Sequence, residues 1–171
     1  MFVMAQAPVT PASIKLDKVQ PEVVKTPEFN ITGGSNKRFK TGQWLEIEIG
    51  YETKAEEIDE LTFSFTAQID KQLVTGDVTY VNIAKGRDHW AVMYISPKGL
   101  DKLLNGKPLT PGSIENVWVE VNKTGQVLGK ESHKPGAIPN VAKKTGFLLN
   151  KAQTPFAPLY YDRYEEIKPT K

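Results

Sequence analysis

From Leu61 to Asp70 apolar and polar residues alternate without a break: Leu61, Phe63, Phe65, Ala67 and Ile69 against Thr62, Ser64, Thr66, Gln68 and Asp70. Successive side chains of a strand point to opposite faces, so this is a strand with one face in a core and the other in water. A solvated face belongs to antiparallel rather than parallel sheets, which are covered on both sides. Trp44 to Tyr51 repeats the pattern, with Leu45, Ile47, Ile49 and Tyr51 on one face and Trp44, Glu46 and Glu48 on the other. Val78–Ile83 and His89–Ile95 flank Lys85-Gly86-Arg87-Asp88, a link of hairpin length, and are expected to pair with each other. Ile114–Asn122 and Gln126–Glu131 flank a second turn at Asn122-Lys123-Thr124-Gly125, and a last strand is expected near Thr145–Asn150.

One helix interrupts the strands. Ser96 is an N-cap residue, Pro97 suits the first helical position, Leu100, Leu103 and Leu104 recur at helical spacing, and Asn105-Gly106 stops the turn. The spacing predicts a helix over Pro97–Leu104. Short strands with regular turn signals and a single helix read as an all-β fold, an antiparallel immunoglobulin-like β-sandwich with one short helix between strands. A parallel α/β fold would need several longer helices.

The expected organisation is an N-terminal arm over 1–27, a sandwich over 28–152 and an aromatic C-terminal tail over 153–171. Prolines at 8, 11, 21 and 27 break the arm and leave Ile14–Val19 as a short edge strand, with a second short strand at Glu28–Thr32. Met1–Ala7 ends in Ala5-Gln6-Ala7, like the small-residue tail of a secretory signal; it reads either as a signal remnant or as a trimmed start.

Several chemistries are excluded by residue type. The chain has no cysteine, which removes disulfides, thiol nucleophiles and thiolate metal sites. A formal charge of +2 and only three arginines, Arg38, Arg87 and Arg163, argue against nucleic acid as a partner. No apolar run approaches the ~20 residues of a membrane-spanning helix. His89 and His133 lie far apart without metal-ligand spacing, no serine sits in a GxSxG elbow, and no phosphate-binding glycine loop occurs. No catalytic residue, metal or cofactor is expected. Glu46, Glu48, Glu52, Glu56, Glu57, Asp59 and Glu60 concentrate acid in one stretch, read as solvated surface in preference to a calcium site or an acid–base pair. Lysine dominates between Lys123 and Lys151, so the chain is dipolar along its sequence.

Two sets of aromatics remain as candidate sites. Trp44 and Trp118 fall out of phase with the apolar residues beside them and are candidates for stacking on sugar rings, whereas Trp90 is in phase with Val92 and Tyr94 and reads as core. In the tail, Phe156, Leu159, Tyr160, Tyr161 and Tyr164 are too apolar for a free terminus, so they cover this sandwich or dock a partner.

The closing run Thr154-Pro155-Phe156-Ala157-Pro158-Leu159-Tyr160-Tyr161-Asp162-Arg163-Tyr164, after an all-strand body, resembles a family of Ig-like proteins encoded with type IV pilus components in Gram-negative, mucus-associated bacteria. The resemblance implies a non-enzymatic exported domain, placed in the periplasm, at the outer membrane or on the cell surface, that works in type IV pilus assembly or adhesion. Its implied partners are other pilus or envelope proteins, copies of itself, or host glycans or receptors. A glycan-binding module using exposed aromatics is the alternative.

Overall fold

Two long strands carry the fold. The computed structural model describes residues 8–30, 32–34 and 40–169. β1 (Ile14–Lys25) is followed by β2 (Gln43–Ile69) and β3 (Gln72–Ile95), then helix α1 (Pro97–Leu104), β4 (Ile114–Lys123), β5 (Gln126–Ser132), β6 (Lys143–Lys144), β7 (Leu148–Asn150) and β8 (Glu166–Ile167). β2 and β3 pair antiparallel from Leu45↔Ile95 to Ile69↔Gln72. The tight turn between them sits at Asp70 and Lys71, both at positive φ (47° and 67°), the geometry whose twist matches paired strands.

This hairpin supplies both layers of the sandwich. The N-terminal half of β2 pairs with β1 and the C-terminal half of β3, and β7 extends that layer. The C-terminal half of β2 pairs with β4, β4 with β5, and the first half of β3 with β6 and β8. Pairing between the strands is antiparallel except at β6, and Tyr164 adds a parallel bridge to Trp90 of β3. Register shifts at Tyr51/Thr53 and Thr53/Glu57 mark the bend in β2. On β3 the kink falls where Asn82, Gly86 and Asp88 take positive φ.

Those irregularities overturn one expectation. Val78–Ile83 and His89–Ile95 do not pair with each other; they are two stretches of one strand, each facing β2, as in Tyr80↔Leu61 and Met93↔Ile47. The glycine-containing link bends β3 instead of reversing it. The kink also shifts the phase, so Val78 and Tyr80 face the core before it and Ala91, Met93 and Ile95 after it. Trp90, Val92 and Tyr94 therefore lie on the outer face. Leu45, Ile47, Ile49, Tyr51, Leu61, Phe63, Phe65 and Ile69 fill the space between layers, each worth roughly 1.5–3 kcal/mol of apolar burial.

α1 begins and ends where the sequence predicts. Ser96 Oγ accepts the amide proton of Gly99 at 3.0 Å, Asn105 closes the helix in the left-handed region (φ 51°), and Leu100, Leu103 and Leu104 are buried. The β4–β5 hairpin likewise turns at Thr124 and Gly125, both with positive φ.

The N-terminal segment departs from the expectation of an arm: β1 runs through Pro21 to Lys25 and belongs to the sheet. Thr26 donates its amide to Gly42 O, and His133 Nδ1 lies 3.2 Å from Val19 O. By alternation, the backbone groups of Val19, Pro21, Val23 and Lys25 point away from β2, so the proline's missing N–H leaves no gap in the ladder. No strand forms at Glu28–Asn30, and Ile31 lies outside the described residues, as does Met1–Ala7.

Candidate functional site

The outer face of the N-terminal layer is built from the polar-phase positions of β2 and β3. Val24, Trp44 and Tyr94 form an apolar patch with Val92, and Glu46 and Glu48 lie beside it. The tail covers this patch. A 3₁₀ turn over Lys151–Gln153, capped by Asn150 Oδ1 accepting from Gln153 N at 3.2 Å, redirects the chain after β7. Phe156 then lies parallel to Tyr94 (centroids 4.6 Å apart, planes 8° apart) and edge-on to Trp44 (5.5 Å, 89°). These are the two ring geometries that aromatic quadrupoles favour.

Beyond the aromatics the tail is held by charge. Arg163 Nε and Nη2 donate to the two carboxylate oxygens of Glu48 at 3.1 and 2.7 Å, and Tyr164 donates its hydroxyl to the same carboxylate. The Arg163 guanidinium lies over the Trp90 ring, 3.9 Å from its centroid. The bond to Glu48 raises the Arg163 pKa further above its ordinary value, and burial, followed by the bond to Glu48, raises that of Tyr164. Tyr94 donates to Glu46 Oε2 at 2.9 Å, yet burial outweighs that bond and raises the Glu46 pKa. His89 Nδ1 meets Glu165 Oε1 at 2.9 Å, β8 adds to β3 at Tyr80 and Val81, and Lys168 reaches Glu60 at 2.8 Å. Lys151 is buried beneath, its Nζ donating to Ala157 O at 2.9 Å, and desolvation lowers its pKa.

The five tail residues thus divide. Phe156 is buried, Leu159 and Tyr164 are half-buried against the same cluster, and Tyr160 and Tyr161 are 59% and 83% exposed. Tyr160 has φ 54°, a left-handed conformation that costs a side-chain-bearing residue roughly 1–2 kcal/mol. The turn is closed by Arg163 N donating to Tyr160 O at 3.0 Å. Between this turn and β1 runs a groove of about 540 Å³ lined by Glu22, Lys25, Glu46, Leu159 and Tyr160 among others.

The two tryptophans named for sugar stacking have different surroundings. Trp44 is 7% exposed, with both neighbouring rings against it and its Nε1 donating to Thr26 Oγ1 at 3.0 Å. It does lie on the outer face, as its phase indicates, but the tail occupies that face. Trp118 is half-buried on the outer face of the other layer, and its Nε1 donates to Gly136 O at 2.8 Å.

Sequence reasoning missed the pairing of acidic strand with tail. Glu56, Glu57 and Asp59 are exposed as expected; they lie in the bend of β2, where Lys85 and Lys123 pair with Glu56 and Asp59. Glu48 belongs to the same acidic stretch, yet its place in an alternating strand sets it on the face that Arg163 reaches. His89 is stacked on Tyr51 (centroids 5.1 Å apart) with its side chain only 11% exposed. Among the described residues no three His, Asp or Glu side chains converge as a metal site, and no helix is long and apolar enough to cross a membrane.

A family model matches residues 5–171, almost the whole chain, tail included. The chain belongs to that family. A crystal structure of a protein from Akkermansia muciniphila shares the fold at a TM-score of 0.76, with 24% identity, over 93% of this chain and 94% of that one. No curated protein matches.

Proposed function

We propose that this family member is a non-enzymatic docking domain, exported to the periplasm, outer membrane or cell surface, where it takes part in a type IV pilus-associated assembly. The observation that carries the reading is the division of the tail: Phe156, Tyr164 and Arg163 fix it to the sheet, while Tyr160 and Tyr161 stand exposed at its turn. Large, stiff aromatic side chains held on a pinned turn lose little entropy on binding, the character of interface anchors. The strained φ of Tyr160 adds to this, since such conformations persist where surrounding structure imposes them and gather at binding sites. The tail's resemblance to pilus-associated Ig-like proteins supports the assembly, and the solved structure of the same fold comes from Akkermansia muciniphila, a mucus-associated bacterium.

The test is capture from cell-envelope extract with the intact chain and with Tyr160→Ser/Tyr161→Ser, partners being identified by mass spectrometry. Both side chains are exposed, so the double variant is expected to melt with the parent and to lose pilus or envelope partners. Equal capture by both proteins overturns the docking role of the turn, and turnover of a substrate by the purified domain overturns the non-enzymatic reading.

A further inference from the structure

The second layer carries a separate groove, on the face opposite its core, that the tail does not touch. Cross-strand register sets its floor. Thr66 on β2 lies opposite Trp118 on β4, and Trp118 opposite Ser132 on β5; one step along, Ser64 lies opposite Glu120, and Glu120 opposite Lys130. Side chains at such paired positions share a face, so one indole sits within a grid of hydroxyl, carboxylate and ammonium groups.

The wall of the groove is the segment 133–142. It leaves β5 at one edge of the sheet and reaches β6, beside β3, at the other, passing β4 and β2 on the way. Its start is stapled down: Asn116 Nδ2 donates to Lys134 O at 2.9 Å, Lys134 N to Asn116 Oδ1 at 2.8 Å, and His133 N to Val117 O at 2.8 Å. The Trp118 Nε1 bond to Gly136 O fixes the indole against the same segment. Ile138, 40% exposed, and Lys143 complete the lining of a groove of about 430 Å³.

We propose that this groove binds a neutral glycan, a pyranose ring stacking on Trp118 while the hydroxyls of Ser64, Thr66 and Ser132 and the flanking charged groups take its hydroxyls. Three features select that ligand. A half-buried indole held by its own N–H offers an apolar face at little entropic cost, and the C–H face of a pyranose is the apolar surface of an otherwise polar molecule. The groups around it are donors and acceptors at strand spacing, as a polyhydroxylated ring requires. The charged groups that share this face, Glu120, Lys130 and Lys143, largely offset one another, Lys130 Nζ lying 3.6 Å from Glu120 Oε2, so no strong field selects an anionic or a cationic ligand. The proposal is independent of the tail's docking role, because the two sites lie on different layers.

The test uses the intact chain on an array of neutral oligosaccharides ending in galactose, mannose or N-acetylglucosamine, with sialylated counterparts alongside, followed by NMR titration of any glycan bound. Binding of a neutral glycan is expected, with chemical-shift changes at the Trp118 indole. Trp118→Ala should weaken it tenfold or more, Trp118→Phe should retain most of it, and Thr66→Val should weaken it at unchanged melting temperature. Thr66→Val keeps the proposal testable should Trp118→Ala fail to fold. Failure of every neutral glycan to bind, binding confined to sialylated glycans, or binding unaffected by Thr66→Val and Trp118→Ala would each overturn it. Loss of partner capture in the Tyr160/Tyr161 variant leaves glycan binding unchanged, so the two readings fail separately.

Discussion

Arg163 faces Glu48 as a fork against a carboxylate, its Nε and Nη2 reaching the two oxygens at 3.1 and 2.7 Å while the guanidinium plane rests on Trp90. One residue of the tail thereby uses charge, geometry and ring stacking at once. Lysine matches only the first of these. Arg163→Lys is expected to lose about 1–2 kcal/mol in chemical denaturation, the scale of charge-assisted hydrogen bonds at a partly exposed site. In a double-mutant cycle with Glu48→Gln the losses should be strongly non-additive; additive losses would show that the pair contributes nothing.

Phe156→Ala should cost about 3 kcal/mol, because the ring fills the space between Trp44 and Tyr94 and its removal leaves a cavity. Near-ultraviolet circular dichroism should change with it, as Trp44 and Tyr94 lose their neighbour. A loss under about 1 kcal/mol would mean that the tail only rests on the sheet.

Phe63 is fully buried between Tyr51 and Tyr80, at ring separations of 5.0 and 5.9 Å. Phe63→Ala is expected to cost on the order of 3–5 kcal/mol in equilibrium unfolding. The comparison with Phe156→Ala sets the strength of the interior against that of the tail.

Glu46 gives a pH signature. Its pKa in the folded chain is raised by burial, so folding favours the protonated acid: the contribution is full below the ordinary glutamate value of 4.5 and is lost as pH rises through the higher folded value. Glu46→Gln should remove that decline and make the domain more stable than the parent at pH 7. A stability profile from pH 4 to 7 that is unaltered by the substitution would show that Glu46 does not titrate across folding.

Local signals were read correctly where they are self-contained. The helix over Pro97–Leu104 carries its own cap, proline and stop, and the β4–β5 hairpin carries its own turn. What escaped was long-range. Alternation tells that two sets of residues face opposite ways, but not which set is inside; Trp90, Val92 and Tyr94 are in phase with one another, and only the kink near Gly86 and the covering tail show that they face outward, with Val92 and Tyr94 buried and Trp90 half-buried. Glycine in a short polar link suits a reversal and a bend equally. Pro21 reads as a breaker because a single chain gives no sign of which backbone groups face a neighbour. The Trp118 candidate was legible as an out-of-phase tryptophan, whereas the segment that walls it became visible only when Gly136 was placed against its indole.

The hairpin of β2 and β3 also bears on the order in which the molecule assembles. Its pairs widen steadily from Ile69↔Gln72 at the turn to Leu45↔Ile95, so each closed pair shortens the loop for the next and both layers grow from one zipper. The patch of Trp44, Val92 and Tyr94 exists only after the far end has closed. The tail therefore has nothing to seat on until the rest is complete, and substitutions at Phe156 or Arg163 should leave the folding rate unchanged and appear wholly as faster unfolding.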